Sequence, residues 1–162
     1  MTVTNNGYEA SAIAARRSTT TITFDGTAGA GGVGTVTVFS IVPDSPTQFL
    51  IKSIVAHCPN VAATDLVGAG ATISLGVINM PELFIAATTA TTIDQDEFWV
   101  STSPIGNGGG GIALPAACKD IVINTNIIFT VAAAAITAGT LVVYCDYTPL
   151  VPGFSLGTYT LL

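Results

Sequence analysis

Residues 120 to 150 read DIVINTNIIFTVAAAAITAGTLVVYCDYTPL, and the reading of this stretch decides the fold. From 121 to 131 and again from 141 to 147, β-branched and aromatic residues dominate, with Thr137, Ala138 and Gly139 as punctuation between them. The pattern predicts two antiparallel strands folded back on each other. In the second, Leu141, Val143, Cys145 and Tyr147 share one side and Thr140, Val142, Tyr144 and Asp146 the other. The first set is the more apolar, so one face is expected to be buried, and Pro149 ends the ladder. The alanine run at 132–135 suits a strand poorly; side chains that small suit a place where another backbone comes close.

A membrane-spanning helix is the competing reading of the same stretch. Residues 127–145 carry no charge and approach the roughly 20 residues a spanning helix needs. Gly139 and three threonines interrupt the run, however, and no Lys or Arg flanks it, the nearest cation being Lys119. Strands are the expectation.

Outward from this stretch the strand pattern continues. Residues 35–42 read TVTVFSIV, with Val36, Val38, Ser40 and Val42 alternating against Thr35, Thr37, Phe39 and Ile41. PDSP at 43–46 turns the chain into FLIKSIVAH at 49–57, where strict alternation sets Leu50, Lys52, Ile54 and Ala56 against Phe49, Ile51, Ser53, Val55 and His57. A third strand is expected over 72–78, further strand character over 82–93 and 98–100, and long loops over 61–71 and 101–115. This gives seven or eight strands without a long amphipathic helix. The expected fold is all-β: an antiparallel β-sandwich, jelly-roll-like if eight strands divide into two sheets. The expected organisation is an N-terminal arm with a Gly-rich linker at 1–31, holding a short helix over 9–17, then the sandwich at 32–150. A tail at 151–162 would pack on the body or a neighbour.

Composition bounds what such a sandwich can do. The chain has 162 residues, enough for one domain and one core. Only 9% of residues are charged against 49% hydrophobic, where a typical globular chain is about a quarter charged. A surface so poor in charge is expected to be covered in part by other subunits. The net charge is −6 and the cations are Arg16, Arg17, Lys52 and Lys119, too few to match a phosphate backbone, so no nucleic-acid partner is expected. Cys58, Cys118 and Cys145 form no CxxC pair and read as buried thiols made in a reducing cytosol. The N-terminus lacks the basic and apolar regions of a signal peptide.

The residues of catalysis are largely missing. His57 is the single histidine, so no His-pair metal site exists, and its neighbour Cys58 points to the opposite side of a strand. No GxSxG occurs. GNGGGG at 106–111 lacks the Lys and Ser or Thr of a phosphate loop, and Asp94-Gln95-Asp96-Glu97 lacks the glycine of a calcium loop and reads as a solvated acidic turn. Phe39, Phe49, Phe84, Phe98, Trp99 and Phe129 lie in strand patterns and read as core. Neither enzyme activity nor a metal or cofactor is expected.

The closing segment, with its ITAGT turn leading to a strand of alternating aromatics and then Tyr147-Thr148-Pro149-Leu150, resembles the C-terminal strands of small tailed-bacteriophage virion proteins. With the Thr-, Ala- and Gly-rich, charge-poor body, the chain resembles phage capsid decoration (cement) proteins. The resemblance covers the last fifth of the chain strongly and 35–100 in character only. It implies a homo-oligomer, expected as a trimer, made in the host cytoplasm and seated on the outer surface of the virion head. There it would clamp the major capsid protein, with Arg16 and Arg17 pairing with capsid carboxylates. The alternative is a receptor- or glycan-binding module of a tail or head fibre, with Trp99 as a sugar-stacking ring. A hydrolase is a third, weaker reading.

Overall fold

The computed structural model describes residues 15–41, 48–59, 65–106, 120–151 and 153–158. Among the described residues eleven strands follow one another: β1 (Arg16–Thr23), β2 (Gly34–Ser40), β3 (Phe49–His57), β4 (Thr72–Val77), β5 (Met80–Thr89), β6 (Glu97–Trp99), β7 (Ile105–Gly106), β8 (Ile121–Ile123), β9 (Ile127–Ala132), β10 (Thr140–Pro149) and β11 (Gly157–Thr158). They form two antiparallel sheets. The first has the order β1-β10-β3-β6-β7, with β8 sharing the edge of β3 that β6 uses; the second has the order β11-β2-β9-β4-β5. Pairing is nested, since β1 pairs with β10, β2 with β9, β3 with β8 and β4 with β5. The all-β sandwich expected from the pattern is what forms. Among the described residues no helix is long and apolar enough to cross a membrane.

The core lies between the sheets and is built on aromatics. Trp99 and Phe24 flank Phe129 with ring centroids 6.1 and 5.6 Å away, and Phe49 meets Tyr147 edge-on at 5.5 Å. Sealing a phenylalanine of this kind contributes about 1.5–3 kcal/mol. The Trp99 indole N–H is buried too and donates to Thr88 Oγ1 at 2.9 Å, so its polar atom is satisfied. Trp99 is therefore a core residue with no exposed surface, and the sugar-stacking role considered for it is excluded.

The 121–147 region departs from the expected hairpin. β9 and β10 belong to different sheets: β9 pairs with β2 and β4, and β10 with β1 and β3. The single run read over 121–131 also divides, β8 lying in the first sheet and β9 in the second. The reason lies in residues 133–139, which cross from sheet to sheet because partners remote in sequence take their backbone. Ile136 N donates to Gly31 O at 2.8 Å, Thr137 N to Val67 O at 2.7 Å, and Val67 N to Ala138 O at 3.0 Å. Gly31 adopts φ +111°, and a Cβ there would meet the Ile136 carbonyl. Gly68 likewise approaches the backbone of Ala135, where an added Cβ would meet its carbonyl, so glycines on the facing segments permit the close approach.

Two further expectations meet the structure at the termini. An arm over 1–31 that orders against a partner is the expectation from sequence, yet from Arg16 the chain is a strand with eight residues paired to β10 of the body. Its inward Ser18 and Thr20 are buried, and their hydroxyls donate to Leu156 O at 3.2 Å and Val38 O at 3.1 Å. The helix expected over 9–17 ends in that strand; residues 1–14 lie outside the described residues. At the other terminus Leu156 N donates to the Tyr147 hydroxyl at 3.1 Å and β11 pairs with β2, so this part of the tail packs on the body.

Candidate functional site

β10 alternates without interruption. Leu141, Val143, Cys145 and Tyr147 are buried, as its pattern predicts, and Val142, Tyr144 and Asp146 stand half-buried on the outer face of the first sheet. β3 does not alternate. Phe49 and Ile51 face the core, but so do Ile54 and Ala56, while Ser53, Val55 and His57 face outward. The change of phase is a bulge: Tyr147 stands opposite Ile51 and Asp146 opposite Ser53, leaving Lys52 as an extra residue without a counterpart. Strict alternation had placed Ser53, Val55 and His57 with Phe49 and Ile51; the bulge moves them to the opposite face.

That change of phase builds the outer face. Arg17, Asp146 and Ser53 stand side by side across three strands, followed by Thr19, Tyr144 and Val55, then Thr21, Val142 and His57, with Phe98 of β6 opposite His57. A groove of about 440 Å³ runs over these rows. At one end Arg17 Nε and Nη2 donate to Asp146 Oδ1 and Oδ2 at 2.7 and 2.9 Å, and the Ser53 hydroxyl donates to Oδ2 at 3.1 Å. The bonded Arg17 guanidinium, with help from Ser53, holds the Asp146 carboxyl below the usual carboxylate range. The same pair raises Arg17 above its own ordinary value. At the other end the His57 ring stacks on Phe98, centroids 4.5 Å apart and planes 21° apart. His57 Nε2 makes no hydrogen bond among the described residues and lies 3.6 Å from Asp96 Oδ1.

This arrangement suits binding. The Ser53 proton is committed to Asp146, so the nearest hydroxyl in the groove is no nucleophile paired to His57. Cys145 is buried on the inner face, and burial pushes its thiol up to about 12, the reverse of an activated cysteine. No group of three metal-ligating side chains forms among the described residues. In the acidic turn, Asp94 N donates to Glu97 Oε2 at 2.9 Å and Gln95 N to Asp65 Oδ1 at 2.7 Å, so one carboxylate of the turn and one from outside it serve its backbone.

The two arginines singled out from the sequence both hold the chain to itself. Arg16 Nη1 donates to Phe154 O at 3.0 Å and fastens the tail, and Arg17 grips Asp146. The structure thus brings Arg17 to the groove, while Arg16 falls on the other side of β1 with Ser18 and Thr20. Asp146, Ser53, Tyr144, His57 and Phe98 were not singled out as a site. One signal for them existed: Ile51 and Ile54, two large apolar residues three apart around Lys52-Ser53, break a period of two. Comparison with known proteins gives the chain no relatives: no family model, no curated protein and no solved structure matches it.

Proposed function

We propose that the chain is a structural protein of a phage virion that decorates the head as a homo-oligomer, expected as a trimer, and stabilises it by binding the major capsid protein. The observation that carries this reading is an apolar end. Among the described residues the large hydrophobic side chains most open to solvent are Val33, Val67, Ile78, Met80, Val122 and Leu150. Four of these, Ile78, Met80, Val122 and Leu150, collect at one end of the sandwich. There Phe49 pairs with both Ile123 and Pro149, and Val77 pairs with Ile127 where the chain passes from β8 to β9. Ile78 is 65% and Met80 55% exposed at the β4–β5 tip. Apolar residues gathered at one end of a charge-poor domain favour a covering partner.

Three further features support the reading. The nested pairing of strands within two antiparallel sheets is compatible with a jelly roll, an architecture used in capsid proteins. In the outer groove the Ser53 hydroxyl and the Arg17 guanidinium are both tied to Asp146, a fixed polar arrangement that suits binding. Arg16 and Arg17, from which the resemblance led us to expect a capsid contact, are engaged within the chain, and the contact is therefore assigned to the apolar end. Binding only the mature shell would stabilise it by mass action.

The test is to mix the protein with heads lacking it and to measure co-sedimentation and the temperature at which the heads rupture. Saturable binding with a raised rupture temperature is expected, and Ile78→Asp with Met80→Asp should abolish it while the isolated protein keeps its melting temperature. Absence of binding to any head, or binding that the double variant leaves intact, would overturn the reading.

A further inference from the structure

We propose that the groove on the outer face of the first sheet is a binding site for a neutral saccharide. This goes beyond the decoration reading and stands whether or not the chain seats on a head. Three observations converge on it. The first is construction: the Lys52 bulge in β3 is what turns Ser53, Val55 and His57 outward to meet Tyr144 and Asp146, and bulges of this kind re-aim side chains at functional positions.

The second is the pairing of apolar rings with fixed hydrogen-bonding groups. The Tyr144 ring and the stacked His57–Phe98 pair supply a flat apolar lining, the surface on which the C–H face of a pyranose packs while its hydroxyls reach sideways. Beside them the Asp146 carboxylate is held in place by two bonds from Arg17 and one from Ser53. Arg17 spends two of a guanidinium's five N–H groups on this and keeps the rest, and the Ser53 oxygen can still accept. Donors and acceptors side by side, already ordered, match the adjacent hydroxyls of a sugar, each of which both donates and accepts.

The third is charge. Arg17 and Asp146 cancel, so the groove offers no net attraction to phosphate, sulfate or an isolated cation. A ligand that needs a flat apolar floor, paired donors and acceptors and no charge is a neutral polyol ring. The volume of about 440 Å³ lies in the range of small-ligand sites. The groove is also distinct from the apolar end, because Tyr144 and His57 lie further along the sheet than the Phe49–Pro149 pair.

The experiment uses the full chain labelled with ¹⁵N and a panel of neutral mono- and disaccharides, among them glucose, galactose, mannose and N-acetylglucosamine, titrated at millimolar concentration. Amide shift changes confined to Ser53, Val55, Phe98, Tyr144 and their neighbours are expected for at least one sugar. Tyr144→Ala and Ser53→Ala should each weaken that sugar roughly tenfold, the size of loss expected from truncating a binding anchor. Tyr144→Phe should keep most of the affinity, and near-ultraviolet circular dichroism confirms that each variant folds. The proposal is overturned if no sugar in the panel shifts these amides, or if Val55→Asp dissociates an oligomer and so reveals the groove as an interface between copies. Failure here is separable from failure of the decoration reading: Tyr144→Ala should leave head binding intact, and the Ile78 and Met80 variants should leave sugar binding intact.

Discussion

Arg17 and Asp146, 129 residues apart in the chain, form a two-pronged ion pair of 2.7 and 2.9 Å that ties β1 to β10 on the outer face. Asp146 titrates below its ordinary value because Arg17 is bonded to it. A carboxylate whose folded-state pKa is depressed adds stability above its unfolded pKa and loses it as pH falls through the folded value. The melting temperature should therefore decline as pH falls through and below the usual carboxylate range. Asp146→Asn should lower it at neutral pH, with the gap to the parent protein closing in acid. Because the Arg17 side chain is 63% exposed, solvent screens the pair and the drop should be no more than a few degrees. A gap that stays constant between pH 7 and 2 would show that the ion pair is not its source.

The bulge at Lys52 leads to a prediction that runs against the usual behaviour of strands. Deleting one residue from a strand normally flips every side chain beyond it to the wrong face. Here deletion of Lys52 removes the residue that has no counterpart on β10. Ile51, Ser53 and Ile54 would then alternate in, out, in, with Phe49, Ile51, Ile54 and Ala56 all still buried. The deletion variant should fold, with a melting temperature within a few degrees of the parent, losing only the exposed Lys52–Asp120 pair. Deletion of Val55, three positions on, should give no cooperative melt. Circular dichroism melts of the two variants compare them directly.

These two regions also mark where sequence reasoning worked and where it stopped. The faces of β10 were legible because its ten residues alternate without a bulge, and the all-β class followed from many such short runs. The pairing of β9 with β2 and β4 was not legible. A turn signal at 137–139 looks the same whether the chain reverses within one sheet or crosses to another. What decides is contact with Gly31, about 100 residues back along the chain, and with Val67, 70 residues back, to which local periodicity is blind. The groove was hidden for a related reason, since a single bulge inverts the phase of everything after it.

In the core, the Trp99–Thr88 hydrogen bond allows a double-variant test. Thr88→Val keeps the shape but leaves a buried indole N–H without its acceptor, at a cost of about 1–3 kcal/mol. Trp99→Phe removes the donor and some volume, costing a similar amount. With both changes no orphaned donor remains, so the double variant should be less destabilised than the sum of the singles, by about 0.5–3 kcal/mol. Urea unfolding with unchanged m-values measures all three.

Cysteine chemistry reports on the same core from outside. Cys58 and Cys145 are cysteines buried in the sandwich, and burial pushes the Cys145 thiol up to about 12. The thiolate is the reacting species, so at pH 8 Cys145 is both protonated and shielded. Native protein exposed to iodoacetamide, digested and weighed by mass spectrometry should leave the Cys58 and Cys145 peptides unmodified. The same treatment in denaturing urea should label both completely. Cys118 lies outside the described residues, and its labelling in the native protein is independent of this outcome. Rapid native labelling at Cys145 would mean that β10 opens readily, and the close-packed sheet between β1 and β3 would then be the feature to revise.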